Sequence, residues 1–167
     1  MKKLIIIMFL IFLMSLSSLV TAEIVKKGSG DYLLGQTSTF EVIRMGEGRL
    51  QINWNKTGVI TSAPEGSPFL YASFHLIGTL HSNSGDFKSS GGGVFTRPNG
   101  DRFFGIVEIE GSLVRGATGG RIRIIDGTGE CTGMVGEMIP TTRPTVISSK
   151  QGTYQGIGVG KISWKIP

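Results

Sequence analysis

Few side chains in this 167-residue sequence combine a reactive type with a useful spacing. His75 and His81 share parity on one strand pattern, but at about 3.3 Å per residue they lie roughly 20 Å apart, too far to ligate one metal ion together. Glu108 and Glu110 alternate with Val107 and Ile109, so they share a face about 7 Å apart. On an outer face both are solvated. On an inner face two carboxylates would repel, one would titrate high, and an acid/base site would follow. Arg121 and Arg123 are also two apart and read as a solvated strand face, with Arg123 the pocket candidate of the two. Tyr71 has the parity of His75. The candidate ligand contacts are therefore Tyr71, His75, Arg123, Glu108 and Glu110, and no catalytic role is assigned.

Motifs with a built-in mechanism are missing from the sequence. It contains no G-x-S-x-G elbow, no S-x-x-K pair, no P-loop lysine, no C-x-x-C and no H-E-x-x-H. Asp126-Gly127-Thr128-Gly129 superficially resembles an aspartic-protease loop, but the glycine before the threonine breaks that motif and turn chemistry accounts for it. Asn55-Lys56-Thr57 fits an N-glycosylation acceptor, which matters only on a eukaryotic secretory route. No metal or cofactor is expected.

The elements that position these residues are strands. All 26 glycines follow residue 22, and they interrupt every stretch that could sustain a helical apolar period. Leu50, Ile52 and Trp54 alternate with Gln51, Asn53 and Asn55 as a half-buried strand. In 69–81, Leu70, Ala72, Phe74, Leu76 and Leu80 fall on one face, and Tyr71, Ser73, His75, Ile77, Thr79 and His81 on the other. Asn99-Gly100 predicts a hairpin with both central residues at positive φ, and Asp126-Gly127 predicts a second. A change of apolar parity between Val159 and Ile162 predicts a bulge near Gly160.

The expected strands are 38–45, 49–55, 57–61, 69–81, 93–97, 102–110, 118–125, and 129–137 with a 153–166 return. Short hairpins leave no room for crossover helices, so the strands form an antiparallel meander. Closure removes its edges, which favours a single up-and-down β-barrel of about eight strands over a two-sheet sandwich. Pro140–Pro144 reads as a surface loop.

The opening residues predict export. Lys2 and Lys3 precede the apolar run Leu4–Leu16, too short to span a bilayer comfortably, and Val20-Thr21-Ala22 then forms a small-residue cleavage site before Glu23. The domains are a signal peptide at 1–22 and one barrel at 23–167, released to the periplasm or the medium. An uncleaved anchor is the competing reading; no cysteine follows the run where a lipoprotein signal needs one. Cleavage lowers Lys+Arg from 17 to 15 against 12 acidic residues, a net charge near +3. The basic residues are scattered, which does not support nucleic-acid binding. Cys131 has no second cysteine to bridge with and reads as a small buried apolar group.

Pro98-Asn99-Gly100-Asp101, Glu110-Gly111, Ala117-Thr118-Gly119-Gly120 and the run Asp126 to Glu137 together resemble the allene oxide cyclase-like and dirigent-like barrel group. That group has a strand ending in "aTG", a turn, and G-T-G-x-x-x-G-x-x-G before a final strand. Here Gly127, Gly129, Gly133 and Gly136 keep the spacing, and with Gly100 they are read as structural turn and corner glycines. The resemblance implies a barrel that confines a small apolar molecule. The group's catalytic motifs have no counterpart to align, so no catalytic residue is carried over.

Two function classes follow. One is a non-catalytic binding or structural module for a small apolar ligand or an envelope partner; the other is an isomerase- or cyclase-like enzyme. Relatives that trimerise also leave two assignments for 69–81. In an oligomer, the Leu/Phe face is the subunit contact and Tyr71, His75 and Arg123 approach the pocket. In a monomer the faces reverse.

Overall fold

The structure, a computed structural model, describes residues 23–112, 118–140 and 152–167. The expected signal peptide, Ala117 of the quoted motif and most of the Pro140–Pro144 segment lie outside the described residues. Eight strands form a closed antiparallel barrel in sequence order: β1 (Lys27–Gly46), β2 (Arg49–Ser62), β3 (Ser73–Asn83), β4 (Asp86–Thr96), β5 (Arg102–Ser112), β6 (Thr118–Gly127), β7 (Val135–Pro140) and β8 (Thr153–Lys165). The only helical element among the described residues is a single 3-10 turn, Gly129–Cys131. No helix among them is long and apolar enough to cross a membrane.

The parity of each strand decides what enters the barrel. Tyr32 and Leu34 on β1, Phe74 and Leu76 on β3, Phe95 on β4, Phe103 and Val107 on β5, and Ile162 and Trp164 on β8 are all buried. The interleaved positions face out. Val107, paired with Ile122, is 2% exposed, for example, whereas Ile77 on the outer face of β3 is 56% exposed. The Leu/Phe face of 69–81 is therefore inside, and the polar face with His75 and His81 is outside. An outer-face role for Phe74 and Leu76 is corrected on this point: an eight-stranded barrel has just enough room to bury one face of each strand.

One end of the interior is closed by aromatic packing. Phe95 and Phe103 stack with ring centroids 4.8 Å apart, and Phe69 meets Phe103 edge-on at 5.0 Å and Trp164 at 6.0 Å. Trp164 Nε1 donates to Val25 O at 2.6 Å, so the buried indole has its polar atom satisfied. Cys131 and Met134, both fully buried, belong to the same core.

Several boundaries differ from expectation. Residues 27–37 belong to β1, and 49–62 is one strand rather than two. Residues 69–72 are a turn, with Tyr71 at φ 60 and its N–H donating to Ile60 O. Residues 86–92 are strand, although their serines and glycines gave no alternation. The two-residue turn with both residues at positive φ is Ser84-Gly85, whereas at Asn99-Gly100 only Gly100 is positive and its N–H donates to Arg97 O. Asp126-Gly127 does not form a two-residue turn either. Asp126 Oδ1 accepts from the N–H groups of Gly127 at 2.7 Å and Gly133 at 2.9 Å, holding a longer connection to β7. No bulge occurs at Gly160, where the β1–β8 register is unbroken; apolar Ile157 and Val159 simply face out opposite inward glycines. The register shifts leave one extra residue each at Thr61 on β2, opposite Leu33/Leu34, at Met45 on β1 and at Ile125 on β6, opposite Phe104/Gly105.

Candidate functional site

Beyond the aromatic end, the barrel interior opens into a cavity of about 400 Å³. Its wall is mostly apolar, with Phe40, Ile52, Leu76, Leu80, Val107 and Ile109 among the lining residues. Glycine makes the space on one side. A Cβ on Gly78 would lie 2.3 Å from Trp54 Cζ2, and one on Gly91 would lie 2.8 Å from Trp54 Cη2, so the indole lies flat across two strands without side chains there. Its Nε1 donates to Ser89 Oγ at 2.9 Å, and Ser89 Oγ donates onward to Thr79 O at 3.2 Å. The ring is thus fixed in orientation.

Polar groups in the cavity lining are few, and three of them fall in one row. Lys56 lines it with its ammonium 5.2 Å from the Trp54 ring centroid, a cation–π contact. Burial lowers its pKa from the usual lysine value. Ser38 on β1 pairs directly with Lys56 on β2, and on its other side with Tyr154 on β8, so the three form a row across adjacent strands. Ser38 is buried, and neither its hydroxyl nor that of Tyr154 has a hydrogen-bond partner among the described residues. Burial raises the Tyr154 pKa; Gln36 is near enough to oppose the rise without the geometry of a hydrogen bond. Tyr32, deeper in the wall, is pushed up to about 12 by burial.

The five candidates from the sequence are placed elsewhere. Tyr71 is 61% exposed in the turn before β3. His75 faces outward with Nε2 3.0 Å from Asn55 Oδ1, on the neighbouring strand. Glu108 also faces outward, and its carboxylate accepts from Arg121 Nε at 3.2 Å and Arg123 Nη2 at 3.3 Å. The two guanidinium groups hold the Glu108 pKa below its usual value. Glu108 and Arg123 are thus together, on the outside. Glu110 lies apart, on a groove at the open rim with His81 and Lys88. Among the described residues, no three His, Cys, Asp or Glu side chains are grouped to hold a metal ion.

Lys56 was missed for a reason visible in the sequence. Splitting 49–61 into two strands at Lys56 hid the fact that Leu50, Ile52, Trp54, Lys56, Gly58 and Ile60 share one parity. Continuing the alternation places the lysine on the buried face.

No family model matches the chain, and no curated protein matches it by sequence. Among solved structures it is similar to the pterocarpan synthase dirigent protein GePTS1, with a TM-score of 0.50 and 10% identity over 89% of this chain and 96% of that one. This chain folds as a dirigent-like barrel. At that identity the likeness speaks for the fold alone. The dirigent-like barrel accounts for the glycine spacing quoted above: Gly129 and Gly133 have left-handed φ of 56° and 71°, and a Cβ on Gly136 would lie 2.2 Å from Ser163 O.

Proposed function

We propose that this dirigent-like barrel is an exported, non-catalytic binding module that takes a small, largely apolar ligand into its interior. The observation that carries the reading is the cavity of about 400 Å³, within the size range of small-molecule sites and lined mainly by hydrocarbon and aromatic side chains. Among the described residues the titratable side chains of the cavity wall are Lys56, Tyr32 and Tyr154, and no histidine, cysteine or carboxylate lines it with them. Export rests on the charged and apolar opening and the Val20-Thr21-Ala22 site. Mass spectrometry of protein recovered from the periplasm or medium should find Glu23 as the first residue; an intact chain in the membrane fraction overturns that part.

The neutral fluorophore N-phenyl-1-naphthylamine tests the binding reading. Its emission should rise on mixing with the wild-type barrel and stay near the free-dye level with Leu80→Trp, which fills the cavity from its wall. Equal enhancement by both proteins, with circular dichroism showing both folded, places the dye on the surface and defeats the reading. Steady conversion of an apolar epoxide would favour the isomerase- or cyclase-like alternative.

A further inference from the structure

We propose that Ser38, Lys56 and Tyr154 form an anion site that holds the carboxylate of a small amphipathic organic acid whose apolar body fills the rest of the cavity. The proposal rests on the binding reading above and adds the charge of the ligand.

The first argument is electrostatic. Among the described residues Lys56 brings the single cationic side chain into the cavity wall, and no carboxylate lines that wall with it. Nor has Lys56 a hydrogen-bond or ion-pair partner among the described residues; its ammonium lies over the face of Trp54. An ammonium held partly out of water without an anion is costly, and a cation–π contact offsets only part of the cost. A ligand carboxylate would complete the pair.

The second argument is independent of charge. The Ser38 and Tyr154 hydroxyls are buried and have no partner among the described residues, although buried hydroxyls are mostly hydrogen-bonded. Both flank Lys56 in one cross-strand row: Lys56 opposite Ser38, and Ser38 opposite Tyr154. Strands spaced about 4.8 Å apart set the three side chains side by side on the wall of one cavity. One ammonium and two hydroxyls can together donate to both of its oxygens. The remainder of the wall offers hydrocarbon, so the ligand has one charged end and an apolar body. A free inorganic anion would leave that wall uncovered.

Decanoate, 1-decanol and decylammonium share one tail and differ in head charge, and all three fit within the cavity volume. Their affinities are read by isothermal titration calorimetry on the mature barrel. Decanoate should bind about tenfold more tightly than decanol, a difference of about 1.4 kcal/mol, and decylammonium more weakly than either. Lys56→Met should remove the decanoate advantage while leaving decanol affinity within about twofold, and Lys56→Arg should keep the preference for the anion. Ser38→Ala and Tyr154→Phe should each weaken decanoate by roughly threefold, the size of one hydrogen bond. Equal binding of decanoate and decanol by wild type overturns the anion site and leaves the binding module standing. Equal loss of both ligands in Lys56→Met also overturns it, because the lysine would then be a wall element only. If no member of the series binds, the anion site falls together with the binding reading.

Discussion

The two ends of the barrel interior are built from the same strands but are packed to different purposes. At the closed end, Phe69, Phe95 and Phe103 are fully buried and in ring contact, with Trp164 alongside. Toward the open end, Ile52, Trp54, Leu80 and Ile109 line a cavity instead of filling it, and the half-buried Lys56 lines it with them. Stability is concentrated where side chains touch one another, and binding capacity where they do not. The lesson is that a barrel needs to be filled over only part of its length. The other part can carry polar groups that the packed core has no room for.

The largest expected effect breaks this division at the packed end. Phe103→Ala should lower the unfolding free energy by about 3–5 kcal/mol, as expected for deleting a fully buried ring in close contact. Leu80→Ala, in the cavity wall, should cost only about 1 kcal/mol, because its neighbours on the inner side are already absent. Urea unfolding of both variants measures the difference. Equal losses would mean that the cavity is collapsed in solution and that the contrast is false.

A medium effect sharpens the comparison through pH. Tyr32 lies in the cavity wall with its pKa raised to about 12 by burial. Its folded pKa exceeds the unfolded value near 10, so the contribution is complete below pH 10 and is lost as pH rises toward 12. The loss should be on the order of 2 kcal/mol. Tyr32→Phe should flatten that alkaline decline in chemical-denaturation curves recorded between pH 9 and 12. An unchanged slope would mean that the phenol reaches solvent.

The smallest effect is expected on the outer wall. Glu108 joins Arg121 and Arg123 across two strands, but all three side chains are about half exposed, and such pairs contribute little. Glu108→Gln should leave the denaturation midpoint within the scatter of replicate measurements at neutral pH. It should leave N-phenyl-1-naphthylamine binding unchanged as well. A clear fall in dye binding would restore the outer carboxylate to the site.

What could be read along the chain was the local part of the architecture. Period-two alternation in 49–55 and 69–81, glycines in place of helix formers, and short turns between strands were enough for an all-β antiparallel meander, and the need to cover its edges pointed to closure. The same alternation separated the Leu/Phe face of β3 from the face of His75. Turn detail was less legible. Ser84 adopts positive φ beside Gly85, a conformation its own side chain disfavours, and the run Gly91-Gly92-Gly93 has no alternation by which to recognise β4.

Only the tertiary structure decided which polar residues meet. Glu108, Arg121 and Arg123 come together on the outside because β5 and β6 pair in that register. Ser38, Lys56 and Tyr154 come together on the inside although 116 positions separate the first from the last, because β1 lies between β2 and β8 once the barrel closes. A strand's own sequence sets the parity of its side chains. It does not set the neighbour against which each is registered, and the free energy that selects that register belongs to the closed, packed barrel as a whole.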